Sequence, residues 1–158
     1  MMDRLAKPLA SGPLSAEEIT AVHNAVETAM GPHPGGGEWS FATLFLAWRR
    51  MAAEVEDGYA WSAPELSNDV FCRGALARVW PLLPDRLANL WRSELDALDT
   101  RFRAATIAWP GHAEDAPEWW RWRIPRRLEA EPDEPLYRGW PSGWDMLSFP
   151  RPVEIEIV

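Results

Sequence analysis

Phe41-Ala42-Thr43-Leu44-Phe45-Leu46-Ala47-Trp48-Arg49-Arg50-Met51-Ala52-Ala53-Glu54-Val55-Glu56-Asp57 is the stretch whose reading decides the fold class. Phe41, Leu44, Phe45, Trp48, Met51 or Ala52, and Val55 recur at intervals of three and four, which aligns them in one stripe along an α-helix. Arg49, Arg50, Glu54 and Glu56 fall off that stripe. Gly58 follows Asp57 and offers the helix a C-terminal stop.

On the N-terminal side of this helix, Ser15 stands three residues before Glu18, the spacing of a capping box. Ile19, Val22, Val26 and Met30 then follow at helical intervals, and Gly31-Pro32 ends the run. Pro34-Gly35-Gly36-Gly37 reads as a flexible loop; it lacks the Gly-Lys-Ser/Thr ending of a phosphate-binding loop. Residues 1–14, with Pro8, Gly12 and Pro13, are expected to form a flexible N-terminal arm.

On the C-terminal side, Ser62-Ala63-Pro64-Glu65 is a second capping box with a proline in the first turn. It opens a helix, in one or two pieces, running to about Trp80, where Pro81 and Pro84 bracket a turn. A long helix from Asp85 to Ala105 is marked by Leu87, Leu90, Trp91, Leu95, Leu98 and Phe102. Arg92 with Asp96, and Asp99 with Arg103, lie four apart as opposite charges on its outer surface.

After Trp109-Pro110-Gly111 the texture changes: six of the eleven tryptophans and eight of the fifteen prolines lie from Trp109 onward. Trp120, Trp122 and Ile124 alternate with Arg121 and Arg123, which predicts a strand over 119–124. Val153-Glu154-Ile155-Glu156-Ile157-Val158 also alternates and predicts a strand over 153–158. Arginines on one strand and glutamates on the other suggest that the two pair, with Arg138 to Trp144 forming tight turns between them. The expected fold is therefore mainly α, about four packed helices with a small C-terminal β-element of two short strands. Its 158 residues fit a single domain over 15–158, with a helical part 15–108 and a Trp/Pro-rich elaboration 109–158.

Composition narrows the function classes. A net charge of −8 argues against general nucleic-acid binding, which uses a basic face to displace counterions. Cys72 is the single cysteine, so no intramolecular disulfide forms; this fits a reducing compartment. Its apolar neighbours Val70 and Phe71 predict a buried thiol. No apolar run approaches a membrane span and residues 1–15 hold none suited to a secretory signal, so the expected location is cytoplasmic, with no membrane partner.

Candidate functional residues fall into three groups. Trp48, Trp80 and Trp91 sit at helical spacing and read as core, whereas Trp109, Trp119, Trp140 and Trp144 sit among turns and arginines. With Arg121 and Arg123, these four form a candidate binding set, because tryptophan and arginine concentrate in binding hot spots. Glu65 and Asp69 share a helix face with Arg73; they read first as a cap and a surface ion pair, and second as polar groups of a site. His23 beside the first helix's apolar side is expected to be partly buried, while His33 and His112 lie in loops. No histidine pair, cysteine pair, nucleophile elbow or dinucleotide fingerprint is present, so the sequence calls for no metal, no cofactor and no catalytic residue, and leans away from an enzyme.

Two function classes follow. The first is an acidic protein-binding module that docks on and occludes another protein, a basic one for preference, as an inhibitor, immunity-type or regulatory factor. The second is a small-molecule-binding protein or enzyme with a tryptophan-lined pocket.

Overall fold

A computed structural model describes residues 13–158, so the expected N-terminal arm lies almost wholly outside the described residues. The fold is mainly α with a small β-element toward the C-terminus, as the sequence predicts. Helix α1 (Ala16–Met30) starts on a full capping box. The Glu18 N–H donates to Ser15 Oγ and the Ser15 N–H donates to the Glu18 carboxylate, both at 3.1 Å. Helix α2 (Phe41–Asp57) has the predicted bounds. Helix α3 (Ala63–Asp69) is capped by the Ser62–Glu65 box, and helix α4 (Phe71–Val79) follows after Val70. The break falls just after Ser67-Asn68-Asp69, three residues whose side chains compete for backbone hydrogen bonds. A 3-10 turn, Trp80–Leu82, holds Pro81, and helix α5 (Asp85–Ala104) completes the helical set.

The chain divides into two compact units. The first comprises the described residues up to Arg49 together with Phe71–Leu98; the second comprises Arg50–Val70 and Asp99–Val158. Helix α2 therefore contributes to both, as does α5.

The first unit's core is the helical stripe read from the sequence. Val22 and Val26 of α1, Phe41, Phe45 and Trp48 of α2, and Leu87, Trp91 and Leu95 of α5 are all buried. Phe41 is its aromatic centre: its ring stacks on Trp91 at 5.0 Å and meets Trp80 at 5.9 Å. Such pairs add about 0.5–1.5 kcal/mol beyond the area they bury. Cys72 is buried here as expected. His23 is not: it is exposed and lies 3.3 Å from Glu27, one turn on, because its position turns past the edge of the α1 stripe.

The second unit holds the β-element, and here the pairing differs from expectation. Strand β1 (Thr106–Ala108) pairs antiparallel with β2 (Arg123–Pro125), with Ile107 opposite Ile124. Strand β3 (Arg127–Leu128) pairs parallel with β4 (Glu156–Ile157), which sets Arg127 beside Glu156. Tyr59 extends this second ladder, donating its N–H to Arg127 O and accepting from Glu129 N. An arginine does face a glutamate across strands, but it is Arg127, not Arg121 or Arg123.

Residues 119–122 are a 3-10 turn rather than the start of a strand. Glu118 adopts a left-handed conformation (φ 52°), and the Arg121 N–H closes back on Glu118 O. Both Trp119 and Trp120 are buried, while Trp122 is exposed and Arg123 buried. The alternation that suggested a strand is thus inverted over Trp122-Arg123. Arg123 turns inward because a complete set of acceptors awaits it there, as described next.

Candidate docking surface

The buried guanidinium of Arg123 is the structural centre of the 103–123 segment. Its Nε donates to Thr106 Oγ1 at 2.8 Å, and its Nη2 donates to Thr106 O at 2.9 Å and Arg103 O at 3.1 Å. Its Nη1 donates to the Glu114 carboxylate, completing a charge-assisted network. Thr106 Oγ1 in turn donates to Phe102 O at 2.7 Å. Arg103 lies over the Trp119 ring at 3.7 Å, and Trp119 also packs against Phe102. Of the candidate binding set, Arg123 and Trp119 are therefore internal, and they shape the loop 109–118. Arg121 is exposed and pairs with Glu118 three residues back at 3.4 Å.

Trp109 is half-buried in a wall of rings. It meets Trp122 edge-on at 5.7 Å and Phe149 at 5.7 Å, while His112 stacks on the Trp122 face at 4.5 Å. The exposed side of this wall is thus partly covered by His112.

Trp140 and Trp144 stack on each other at 6.2 Å, both buried. Each indole is committed to a backbone acceptor. Trp140 Nε1 donates to Phe149 O at 2.7 Å, and Trp144 Nε1 donates to Trp61 O at 2.9 Å. Around this pair the chain is drawn into tight turns, as predicted for residues 138–144. Gly139 and Gly143 sit at φ +84° and +87°. At Gly143 a side chain has no room: a Cβ there would lie 2.8 Å from Ser62 Cβ and 3.2 Å from Ser62 Cα. The Ala63 N–H donates to Gly143 O at 2.9 Å, so residues 61–63 are pressed against the 141–144 turn.

Glu65 and Asp69 are exposed on α3, but both have local duties. Glu65 closes the capping box, and Asp69 accepts the Tyr59 hydroxyl at 2.8 Å. Tyr59 is buried, and burial with the Asp69 hydrogen bond pushes its phenol well above the usual range.

No family model, curated protein or solved structure matches this chain.

Three exposed side chains of the same unit escaped the sequence reading. Trp61 is 59% exposed, Tyr137 61% and Met146 56%. None belongs to a periodic run. The one available signal at Trp61, its place directly before the Ser62 cap, predicts that it folds back as a staple against the helix, not outward.

Charge follows the same division. The second unit carries sixteen acidic and nine basic side chains, so it holds −7 of the chain's net −8. Among the described residues no helix is long and apolar enough to cross a membrane.

Proposed function

We propose that this chain is a protein-docking module that binds a basic partner through its second unit and works by occluding the surface it covers. The observation that carries this reading is a coincidence within one unit. The exposed aromatic rings Trp61, Trp122 and Tyr137 share it with almost the whole negative charge of the chain. Acidic side chains steer a basic protein and raise its association rate, while exposed large rings supply the contact that water leaves on docking. The buried single cysteine fits work in a reducing compartment, and the reading places the protein in the cytoplasm.

A tryptophan-lined small-molecule site has less support. Trp140 and Trp144 are buried with their N–H groups committed, and His112 stacks on one face of the Trp122 ring.

The test is affinity capture from native lysate, with mass spectrometry and a salt series. The expected result is one stoichiometric basic protein, released progressively as the Debye length shrinks from about 10 Å at 0.1 M to about 3 Å at 1 M salt. Recovery of only acidic or neutral proteins, or retention that ignores salt, overturns the proposal.

A further inference from the structure

Resting on the docking reading just given, we infer that Trp61, Tyr137 and Met146 form one pre-organised patch that receives a cationic, apolar-bearing segment of a partner protein. All three side chains are exposed, yet each hangs on backbone tied to the buried Trp140–Trp144 pair. The Trp61 carbonyl accepts the Trp144 indole N–H, and the residues after Trp61 are held by the Ser62–Glu65 cap and the bond from Ala63 N to Gly143 O. Tyr137 and Trp140 exchange both backbone hydrogen bonds at 2.9 Å. Met146 lies inside the turn closed by the Leu147 N–H on Trp144 O at 3.2 Å.

A large ring left in water on a fixed backbone differs from a ring on a loose loop. Its main-chain ordering is complete before any partner arrives, so docking has less freedom left to remove. Trp and Tyr add little further cost, having two side-chain torsions each, and an exposed Met adapts its shape to what it meets. Arg138 reinforces the arrangement. Its guanidinium lies over the Tyr137 ring at 5.1 Å, and it donates to Leu147 O at 2.6 Å and Ser148 O at 3.3 Å.

The surrounding charge selects the occupant. The two segments that bear the patch, residues 57–69 and 129–149, contain eight acidic side chains and one basic one. That basic one is Arg138, already engaged with two carbonyl oxygens; Arg151, which lies against Gly139, donates to Ile155 O. Asp145 directly precedes Met146, and Asp133 and Glu134 stand just before Tyr137. Phosphate backbones and anionic lipid headgroups are repelled by such a field. A protein segment that combines Arg or Lys with apolar residues complements both the acidic segments and the exposed rings, and arginine can also lie on the face of Trp61.

The experiment selects peptides from a random phage-displayed library on the immobilised full chain and measures their affinities by fluorescence polarisation. Targets are the wild type, Trp61→Ala, Tyr137→Ser, Met146→Ser, Asp145→Arg, and the control Phe71→Ser, which alters an exposed ring of the first unit. Thermal melts confirm that each variant folds; should Trp61→Ala fail to fold, the Tyr137 and Met146 variants carry the test. The expected peptides combine Arg or Lys with apolar residues. They lose about 30-fold in affinity on Trp61→Ala or Tyr137→Ser, the factor that separates hot spots from ordinary contacts, and keep it on Phe71→Ser. Peptides that are basic but bind the patch variants as tightly as wild type overturn this inference and leave the docking function standing. A selection that yields no binders, or binders without basic excess, overturns both.

Discussion

The Trp144 indole N–H donates to the Trp61 carbonyl oxygen at 2.9 Å, joining residues far apart in the chain. With the Ala63 N–H bond to Gly143 O, it fastens the loop that leads into α3 to the turns that follow Trp140. Trp144→Phe keeps an aromatic ring but deletes the donor, leaving the Trp61 carbonyl without its partner and a gap where the second ring stood. The expected loss is about 2–4 kcal/mol, the sum of an unsatisfied carbonyl and a partial cavity. Urea denaturation with far-UV circular dichroism measures it. A loss within 0.5 kcal/mol, the ordinary scatter of surface substitutions, would show that the bond does not hold the loop.

Gly143 and Gly111 give a paired comparison. Both have φ near +85°, at +87° and +85°, so alanine at either incurs the left-handed penalty of roughly 1–2 kcal/mol. A Cβ at Gly111 meets nothing within 4 Å, whereas one at Gly143 meets Ser62 Cβ and Cα. Gly143→Ala is therefore expected to cost about 1–3 kcal/mol more than Gly111→Ala, the range for overpacking against a wall that cannot yield. Equal losses in parallel denaturant titrations would refute the close packing of the 62 and 143 backbones.

The Arg123–Glu114 pair is asymmetric. The Arg123 side chain is 3% exposed and that of Glu114 67%. Arg123→Met takes the donor away from the Thr106 and Arg103 carbonyl oxygens and leaves Thr106 Oγ1 with only its bond to Phe102 O, for an expected loss of about 3 kcal/mol or more. Glu114→Gln removes a charge that water can replace, and the bond from Arg103 to the Glu114 main-chain oxygen survives it. That variant should lose under about 1 kcal/mol. Comparable losses from both would mean that the ion pair, rather than the carbonyl contacts, fixes Arg123.

The helices were legible because their determinants are local. The Phe41–Val55 stripe and the two Ser-x-x-Glu boxes lie within a few residues of the structure they specify, and α1, α2 and both caps appear where expected. That a small β-element follows the helices was legible too, but its strand bounds and pairing were not, because their determinants are distant. Arg123 turns inward on account of Arg103, Thr106 and Glu114, none of which its own neighbourhood reveals. Period-two reasoning treats an arginine as solvent-facing by default and so placed it on the wrong side. β1 was hidden for a related reason, since Thr106–Ala108 directly follows a long helix and reads as its last turn. The tryptophans show the same divide. Trp48, Trp80 and Trp91 are buried as their helical spacing predicts, whereas the exposure of Trp61 depends on Trp144 and Gly143, some eighty residues away.

Tyr59 couples stability to alkaline pH. Its hydroxyl is buried and donates to Asp69, and both effects favour the neutral phenol, as do the nearby charges of Glu65 and Glu54. The phenol is thus raised above its ordinary value of about 10, to which it reverts in the unfolded chain. The stabilisation is fully present below pH ~10 and is lost as pH climbs beyond that point, because the unfolded state then releases a proton that the folded state retains. Denaturant midpoints measured above pH ~10 should fall with a slope that Tyr59→Phe reduces, at the cost of the Asp69 hydrogen bond at neutral pH. In native protein, the Tyr59 phenolate should contribute no absorbance near 295 nm until the chain unfolds. An unchanged alkaline slope in Tyr59→Phe, or a native absorbance rise near 295 nm that Tyr59→Phe removes, would show that the hydroxyl is not held as the structure places it.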